Sequence, residues 1–429
     1  MEKKMRQDLL DLIDGQREHA IKFLRTLVTI PSVTGDEGPI QNHLKDYLEK
    51  MDLEIDMWDM DAEEIQKHPS ASVVTESYEG RPNIVATRKG TGGGRSLLLN
   101  GHTDVIPAGP SESWTDDPWA ANIRDNRIYG RGTSDMKSGV SCQILAVQYI
   151  ADAGIKLKGD VLLNLVVDEE ISGHGTLDTV LRGYRADAAI SGETSTLAVQ
   201  PACIGRIWFQ ILIRGKSAGI QQRYTGVNAI DLGYKIKLAI DDLEKHRLET
   251  VSHPLYPNIL DTLPCLVGTI ESGSFASAFP DTCLLKGSIA TVPGEDHNGV
   301  KQSFLDHIAK AAAEDPWMKD HLPEVTFGNK FGGLDAEAAD IPPDHPIVTT
   351  LVDNFKEITG EEPEISGRQG AADTRFLINN GDTPTVIFGP GPTAVMHAND
   401  EYVDIDDYIT AIKVYALSIC DWCGVDRSA

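Results

Sequence analysis

The chain has 429 residues, a formal net charge of -26, 41% hydrophobic residues and 39 glycines. So acidic a surface excludes nucleic acid, whose phosphates require basic side chains, and it excludes an anionic membrane face. The charge reads as a solvated exterior, and the length predicts two domains rather than one core.

In chain order, MEKKMRQDLLDLIDGQ reads as a charged amphipathic helix. It has no apolar h-region, so no secretory signal is expected, and no run of ~18 apolar residues is present to span a bilayer. The expected location is the cytoplasm, with the scattered Cys142, Cys203, Cys265, Cys283, Cys420 and Cys423 as reduced thiols. Cys420 and Cys423 form a CxxC pattern in a helix-like stretch without a second pair, which favours a structural role. Residues 6–30 and 39–52 read as helices. PNIVATRKG and SLLLNGHTD read as strands, with the Gly-rich loop 90–94 as a hairpin connection. MKSGVSCQILAVQYIADAG has helical period and a Gly stop, and VLLNLVVDEE is a continuous apolar run typical of a strand covered on both faces. ADAAISGE is a further strand. Strands alternating with helices imply an α/β fold with a mostly parallel, doubly wound sheet.

The pattern changes near residue 203. IGRIWFQILIRGK alternates as a half-buried antiparallel strand does, and GVNAIDLGYKIKLAIDDLEKH is an amphipathic helix. Strand-like LVGTIESG and TCLLKGSIATV, helix-like HNGVKQSFLDHIAKAAAED and strand-like EVTFGNKF follow. This β-α-β-β-α-β order predicts an inserted ferredoxin-like α+β domain. LDAEAADIPPDHP reads as a linker, after which a helix, the strand TPTVIFGPG and a final helix rejoin the first unit. Residues 1–203 and 333–429 are therefore expected to form a discontinuous catalytic domain, with 204–332 as a lid. Gly215-Lys216-Ser217 suggests a P-loop, but that motif needs Gly where Gln210 stands.

Chemistry-bearing residues collect at the predicted strand ends. His102 and Asp104 alternate onto one side of an extended segment, where a carboxylate can orient a ligand imidazole. Asp135 sits in a Gly- and Ser-rich turn ahead of a helix, where an N-cap is an equally good reading. Glu169 and Glu170 close an apolar strand, a costly place for two carboxylates unless a cation compensates them; a solvated rim pair is the alternative. Glu193 ends the next strand similarly, and His397 follows TVIFGPGPTAVM. Imidazoles and carboxylates at strand C-ends are the makings of a divalent-metal site on an open α/β sheet. None of these residues falls inside the insertion.

The ordered set resembles, over nearly the whole chain, the family of acetylornithine deacetylase, succinyl-diaminopimelate desuccinylase, aminoacylase and glutamate carboxypeptidase, which are metal-dependent hydrolases of C–N bonds. The resemblance implies His102 and Glu193 on one metal ion, Glu170 and His397 on a second, and Asp135 bridging the two. Asp104 would support His102, and Glu169 would be the general base or acid without being a ligand. Two such ions lower the pKa of a shared water and polarise a carbonyl, while the free carboxylate carries a proton to the leaving amine. Mixed His and carboxylate donors suit Mn²⁺ or Zn²⁺, with Co²⁺ as a further alternative. The resemblance also implies a C2 homodimer joined through the lid.

Relatives of this kind commonly carry a His, an Asn and an Arg in the lid, where this chain has Gly219, Ser277 and Ala290. Gln221, Gln222 or Arg223 could fill the space of the missing His. Loss of these groups would weaken oxyanion stabilisation and points to a substrate that absorbs developing charge itself. The leading expectation is therefore the family's 5-nitroanthranilate aminohydrolase branch, which turns a nitroaryl amine into a phenol and ammonia. Arg206, Arg223 and Arg375 are the candidates to anchor the substrate carboxylate. The alternatives are an N-acyl-amino-acid deacylase or dipeptidase, and a catalytically silent ligand-binding relative, against which the intact Glu169 speaks.

Overall fold

The computed structural model describes residues 1–73 and 75–427. The chain first lays down β1 (Glu54–Trp58), β2 (Asn83–Arg88), β3 (Leu97–His102), β4 (Val161–Val166), β5 (Ala188–Ser191) and β6 (Val199–Cys203). A second sheet follows, from β7 (Gly205–Arg214), β8 (Cys265–Ser272), β9 (Thr282–Thr291) and β10 (Glu324–Phe327). The chain then returns with β11 (Ala339–Asp340), β12 (Ile365–Arg368) and β13 (Thr385–Ile387).

The central sheet has the order β1-β2-β4-β3-β5-β13-β6-β11, with β12 also beside β6. Its middle, β4-β3-β5-β13, is parallel throughout. Antiparallel pairing is confined to the flanks. Both faces are covered, which is why these strands read as unbroken apolar runs. Leu97, Leu99, Leu163, Leu165 and Ile190 pack towards the helices Ser138–Asp152 and Ile405–Cys423. The alternate residues Leu98, Leu162 and Ala189 meet Val180 and Leu377 from the helices His174–Leu181 and Thr374–Asn379. The helix at 138–152 sits unusually close to the end of β5. A Cβ on Gly139 would lie 1.8 Å from the Gly192 carbonyl oxygen, so only glycine lets the two backbones meet there.

Three sequence expectations need correction. The loop 90–94 is not a hairpin connection, because β4, from much later in the chain, lies between β2 and β3. Two of its four glycines answer to packing: Cβ atoms on Gly90 and Gly94 would strike the backbone of Lys158–Gly159 and Cys423, while Gly92 and Gly93 take positive φ in open space. The segment after residue 333 is also more than a linker. Asp335–Ala336 pairs with β7 and Ala339–Asp340 with β6, so it stitches both sheets. The first predicted helix is two, Lys3–Gly15 and Arg17–Val28.

The second sheet has the order β8-β9-β7-β10 and is antiparallel throughout. Helices Ala229–Thr250 and His297–Ala313 cover one face, around Ile207, Phe209, Ile211 and Phe304. This is the predicted split βαβ arrangement with its own core. Cys420 and Cys423 are buried in the final helix, and the other cysteines are also buried and free. Among the described residues no helix is long and apolar enough to cross a membrane.

Candidate active site

Because β4, β3, β5 and β13 run the same way, their C-terminal ends share one edge, and the loops leaving that edge meet. His102 is the last residue of β3. Glu169 and Glu170 follow β4, Glu193 follows β5, and His397 lies in the segment after β13. Asp135 comes from the turn that enters the helix Ser138–Asp152.

These side chains converge. His102 Nε2 lies 3.1 Å from Asp135 Oδ1, 3.6 Å from Glu193 Oε1 and 3.9 Å from Glu169 Oε2. His397 Nε2 lies 3.3 Å from Asp135 Oδ2 and 3.0 Å from Glu170 Oε2. Asp135 thus faces one imidazole with each oxygen. Donor atoms of His102, Asp135 and Glu170, and again of His102, Glu169 and Glu193, all lie within 4.8 Å of one another. His397 has a left-handed backbone, φ 62°, a conformation that non-glycine residues hold mainly where surroundings enforce it.

The electrostatics fit a site built for cations. Burial and neighbouring acids push the Glu169 carboxyl well above its usual range. Burial also raises Glu193 to about 7, although Arg368 Nη2 stands 3.0 Å away. Hydrogen bonds to Asp135 and Glu170 raise His397 to about 10. Burial opposes ionisation of Asp135, but its hydrogen bonds with both imidazoles hold it low. Crowded acids that must borrow protons, beside two imidazoles, match the hard and borderline donors that divalent ions prefer.

Asp104 supports His102 differently from the sequence expectation. The imidazole Nδ1 meets the Asp104 backbone carbonyl at 2.9 Å, while the carboxylate is 3.6 Å away. That carboxylate, fully buried, accepts the amides of Glu169 and Glu170 at 3.1 and 3.2 Å and the Thr34 hydroxyl at 2.8 Å. It therefore ties the β3 loop to the acidic loop.

Two charged residues that contact the cluster escaped the sequence reading. Arg368, at the end of β12, pairs with Glu193 and donates to the Thr194 carbonyl at 2.8 Å. Glu401 is fully buried and accepts the amides of Ser134, Asp135 and Gly132 at 2.8, 3.0 and 3.1 Å, and Arg131 Nη1 at 2.6 Å. It holds the turn that carries Asp135. The acid in HANDEY, just after His397, was the available signal.

A cavity of about 210 Å³ opens over the cluster, lined by Asp135, Glu169, Glu170, Arg368, Arg375 and His397, among others. Of the three candidate anchors, only Arg375 reaches it, with its guanidinium donating to the Ala372 and Ser172 carbonyls. Arg206, half-buried opposite Ala290 on the second sheet, does not line it, nor does Arg223, exposed in the turn 220–225. Gly219 pairs with Ala278 next to Ser277, in a small ribbon separate from the main second sheet. Ala290 is fully buried in an apolar cluster with Leu255, Tyr256 and Leu263.

Comparison with known proteins places this geometry. Residues 98–421 match the model of peptidase family M20/M25/M40. The chain is 30% identical over 432 residues to the N-formyl-4-amino-5-aminomethyl-2-methylpyrimidine deformylase of Bacillus subtilis (strain 168), covering 96% of each chain. It is 24% identical to a probable succinyl-diaminopimelate desuccinylase of Staphylococcus epidermidis, over 92% of this chain and 95% of that one. The fold superposes on the M20 family metallo-carboxypeptidase Sso-CP2 from Sulfolobus solfataricus with a TM-score of 0.71 at 19% identity, covering 93% of this chain and 98% of that one. Human carnosine dipeptidase 1 gives 0.72 at 15% identity, covering 98% and 99%. Matched along most of its length, the chain belongs to peptidase family M20/M25/M40 and is a hydrolase of that family.

Proposed function

We propose that the protein hydrolyses the amide of a small acyl group, formyl foremost, on a primary amine, and that the amine is an aminomethylpyrimidine or a close heteroaromatic analogue. Glu169 carries the reaction class. Its carboxyl group lines the cavity, and its nearest charged partner is His102 at 3.9 Å, so it is free to exchange a proton. The formyl assignment is supported by the 30% identity to the deformylase along both chains. The cavity of about 210 Å³ over the cluster has room for a formyl group beside the donor atoms.

His102, Asp135 and Glu193 would hold one divalent ion, and Asp135, Glu170 and His397 a second, of Mn²⁺, Zn²⁺ or Co²⁺. Such ions supply Lewis acidity and a water acidic enough to attack at neutral pH. Glu169 takes the water's proton as the new C–O bond forms, then delivers it to the nitrogen as the C–N bond breaks, so that the acid and the amine leave. Asp104 holds the Glu169 amide, and Glu401 holds that of Asp135. The second sheet, residues 204–332, would act as the lid. Exposed Ile230, Tyr234 and Leu238 on its helix, with Leu266 and Ile270 on edge strand β8, support a C2 homodimer through this unit. A cytoplasmic location suits its buried free thiols.

The test is formate release from N-formyl-4-amino-5-aminomethyl-2-methylpyrimidine by protein loaded with Mn²⁺ or Zn²⁺, against N-acetyl amino acids and dipeptides. Preference for the latter would overturn the assignment. One observation keeps 5-nitroanthranilate aminohydrolysis as a second reading: Gly219 and Ser277 leave their ribbon without imidazole or carboxamide. Ammonia release from 5-nitroanthranilate, with no formate from the pyrimidine, would favour it.

A further inference from the structure

Beside the cluster lies a larger cavity of about 860 Å³, which shares Arg368, Gly370 and Met396 with the small one. Its inner walls include Leu197, Gln200, Leu255, Tyr256 and Phe355, and its outer rim carries the exposed Glu361, Glu362 and Glu364. We infer that this cavity seats the leaving amine as a planar, uncharged or cationic nitrogen heteroaromatic, with the Gln200 carboxamide reading the ring edge. The inference rests on the amide-hydrolase reading above and places the part of the substrate that lies beyond the scissile bond.

Three observations carry it. The first is size: the cavity falls in the range of small-molecule sites and far exceeds a formyl group. The second is charge. Arg368, the cation on its wall, is already engaged by Glu193 and Thr194, and the remaining charged rim is acidic. An amine that carries a carboxylate would have to compete with Glu193 for Arg368, whose Nε alone lacks a partner, and would face the exposed Glu361 and Glu364, Glu362 being paired with Lys356. A neutral or protonated aminoheterocycle meets neither obstacle. The third is Gln200. It lies on β6, is 8% exposed, and its Oε1 is buried without a hydrogen-bond partner. Buried amide groups are ordinarily paired, so an unpaired carboxamide oxygen on a side chain that lines the cavity is free to turn toward a ligand group. An aminopyrimidine edge sets an N–H beside a ring nitrogen, the complement of a carboxamide's oxygen and NH₂. A half-turn of the carboxamide exchanges its two ends, and Tyr256 and Phe355 supply aromatic surface for the ring.

The experiment compares the metal-loaded wild type with Gln200→Leu and with Ser366→Phe, which crowds the cavity from the neighbouring strand β12 without removing the Gln200 carboxamide. Binding of the free amine 4-amino-5-aminomethyl-2-methylpyrimidine is measured by calorimetry. Turnover is measured on its N-formyl derivative and on N-formylethylamine, which has no ring. Both variants should weaken amine binding and raise KM for the ring substrate by on the order of 10-fold or more. They should leave kcat within about 3-fold and spare N-formylethylamine, as expected when binding alone is lost. Wild-type-like amine binding in both variants overturns the inference, as does a wild type that binds no amine yet hydrolyses other formamides. If no amide is hydrolysed at all, the parent reading falls, while calorimetric binding of the amine still decides the cavity's role.

Discussion

Glu401→Gln isolates the support beneath Asp135. Glutamine keeps the shape of the side chain but turns one acceptor oxygen into an NH₂ group. That group must face either the Ser134 and Asp135 amides or the Gly132 amide with Arg131. Two acceptances are lost in either orientation, and Arg131 loses its carboxylate in a fully buried setting. A hydrogen bond to a charged group contributes about 1.5–3 kcal/mol, and removing one partner of a buried ion pair costs about 3–5 kcal/mol. These contributions overlap, so the expected loss is about 3–5 kcal/mol. At ~2 cal/mol/K per residue, unfolding of the whole chain as a unit turns this into a Tm about 3–6 °C lower. The Asp135 turn loosens with it, and divalent-ion affinity should fall about 10- to 100-fold, as for other outer partners of ligands. Calorimetric melting of the metal-free protein and titration with Zn²⁺ read the two effects. A Tm within about 1 °C of wild type, together with unchanged affinity, would refute the claim that Glu401 holds the turn.

Three further outcomes are expected. Glu169→Gln should keep metal binding and fold while lowering turnover by roughly 10²–10⁴-fold; near-wild-type turnover removes Glu169 from the proton path. Ligand imidazoles must be neutral, yet His397 is held protonated up to about 10 in the metal-free protein. Metal affinity should therefore climb as pH rises toward that value, with proton release seen in buffers of different ionisation enthalpy, and a pH-independent affinity contradicts this. Ala290→Arg places a cation in a fully buried apolar cluster and should destabilise the fold by about 2–5 kcal/mol in a denaturant titration. A stable, more active variant would show instead that an Arg is accommodated there.

The sequence exposes the parts of this site that local physics controls. Continuous apolar runs mark β3, β4 and β5 because both sheet faces are covered, and polar residues just beyond them stand out for that reason. The alternation of β7 and the helix periods around it likewise announce the second sheet. What stays hidden is set by pairing between distant segments. Nothing near residues 90–94 reveals that a strand from residue 161 onward will separate β2 from β3. Arg368 and Glu401 look like surface charges until β12 and the segment after His397 are folded against Glu193 and Asp135. Asp104 shows a subtler limit. Its spacing from His102 predicts contact, but which of its oxygens makes that contact depends on the competing amides of Glu169 and Glu170.

Glu193 and His397 flank the whole second sheet in the chain, 204 positions apart (397 − 193 = 204). During synthesis at ~5–20 residues per second, roughly 10–40 s pass between their appearances. Through that interval the nascent polypeptide already holds His102, Asp135, Glu169, Glu170 and Glu193, but neither the second imidazole nor Glu401, and Arg368 joins only late. Mutually repelling acids then share a half-built edge with no β13 alongside β5. A cation captured at this stage would meet a single imidazole and an unsupported Asp135 turn. Loading should therefore belong to the finished chain, and ribosome-bound intermediates stalled before residue 385 should carry no tightly held metal.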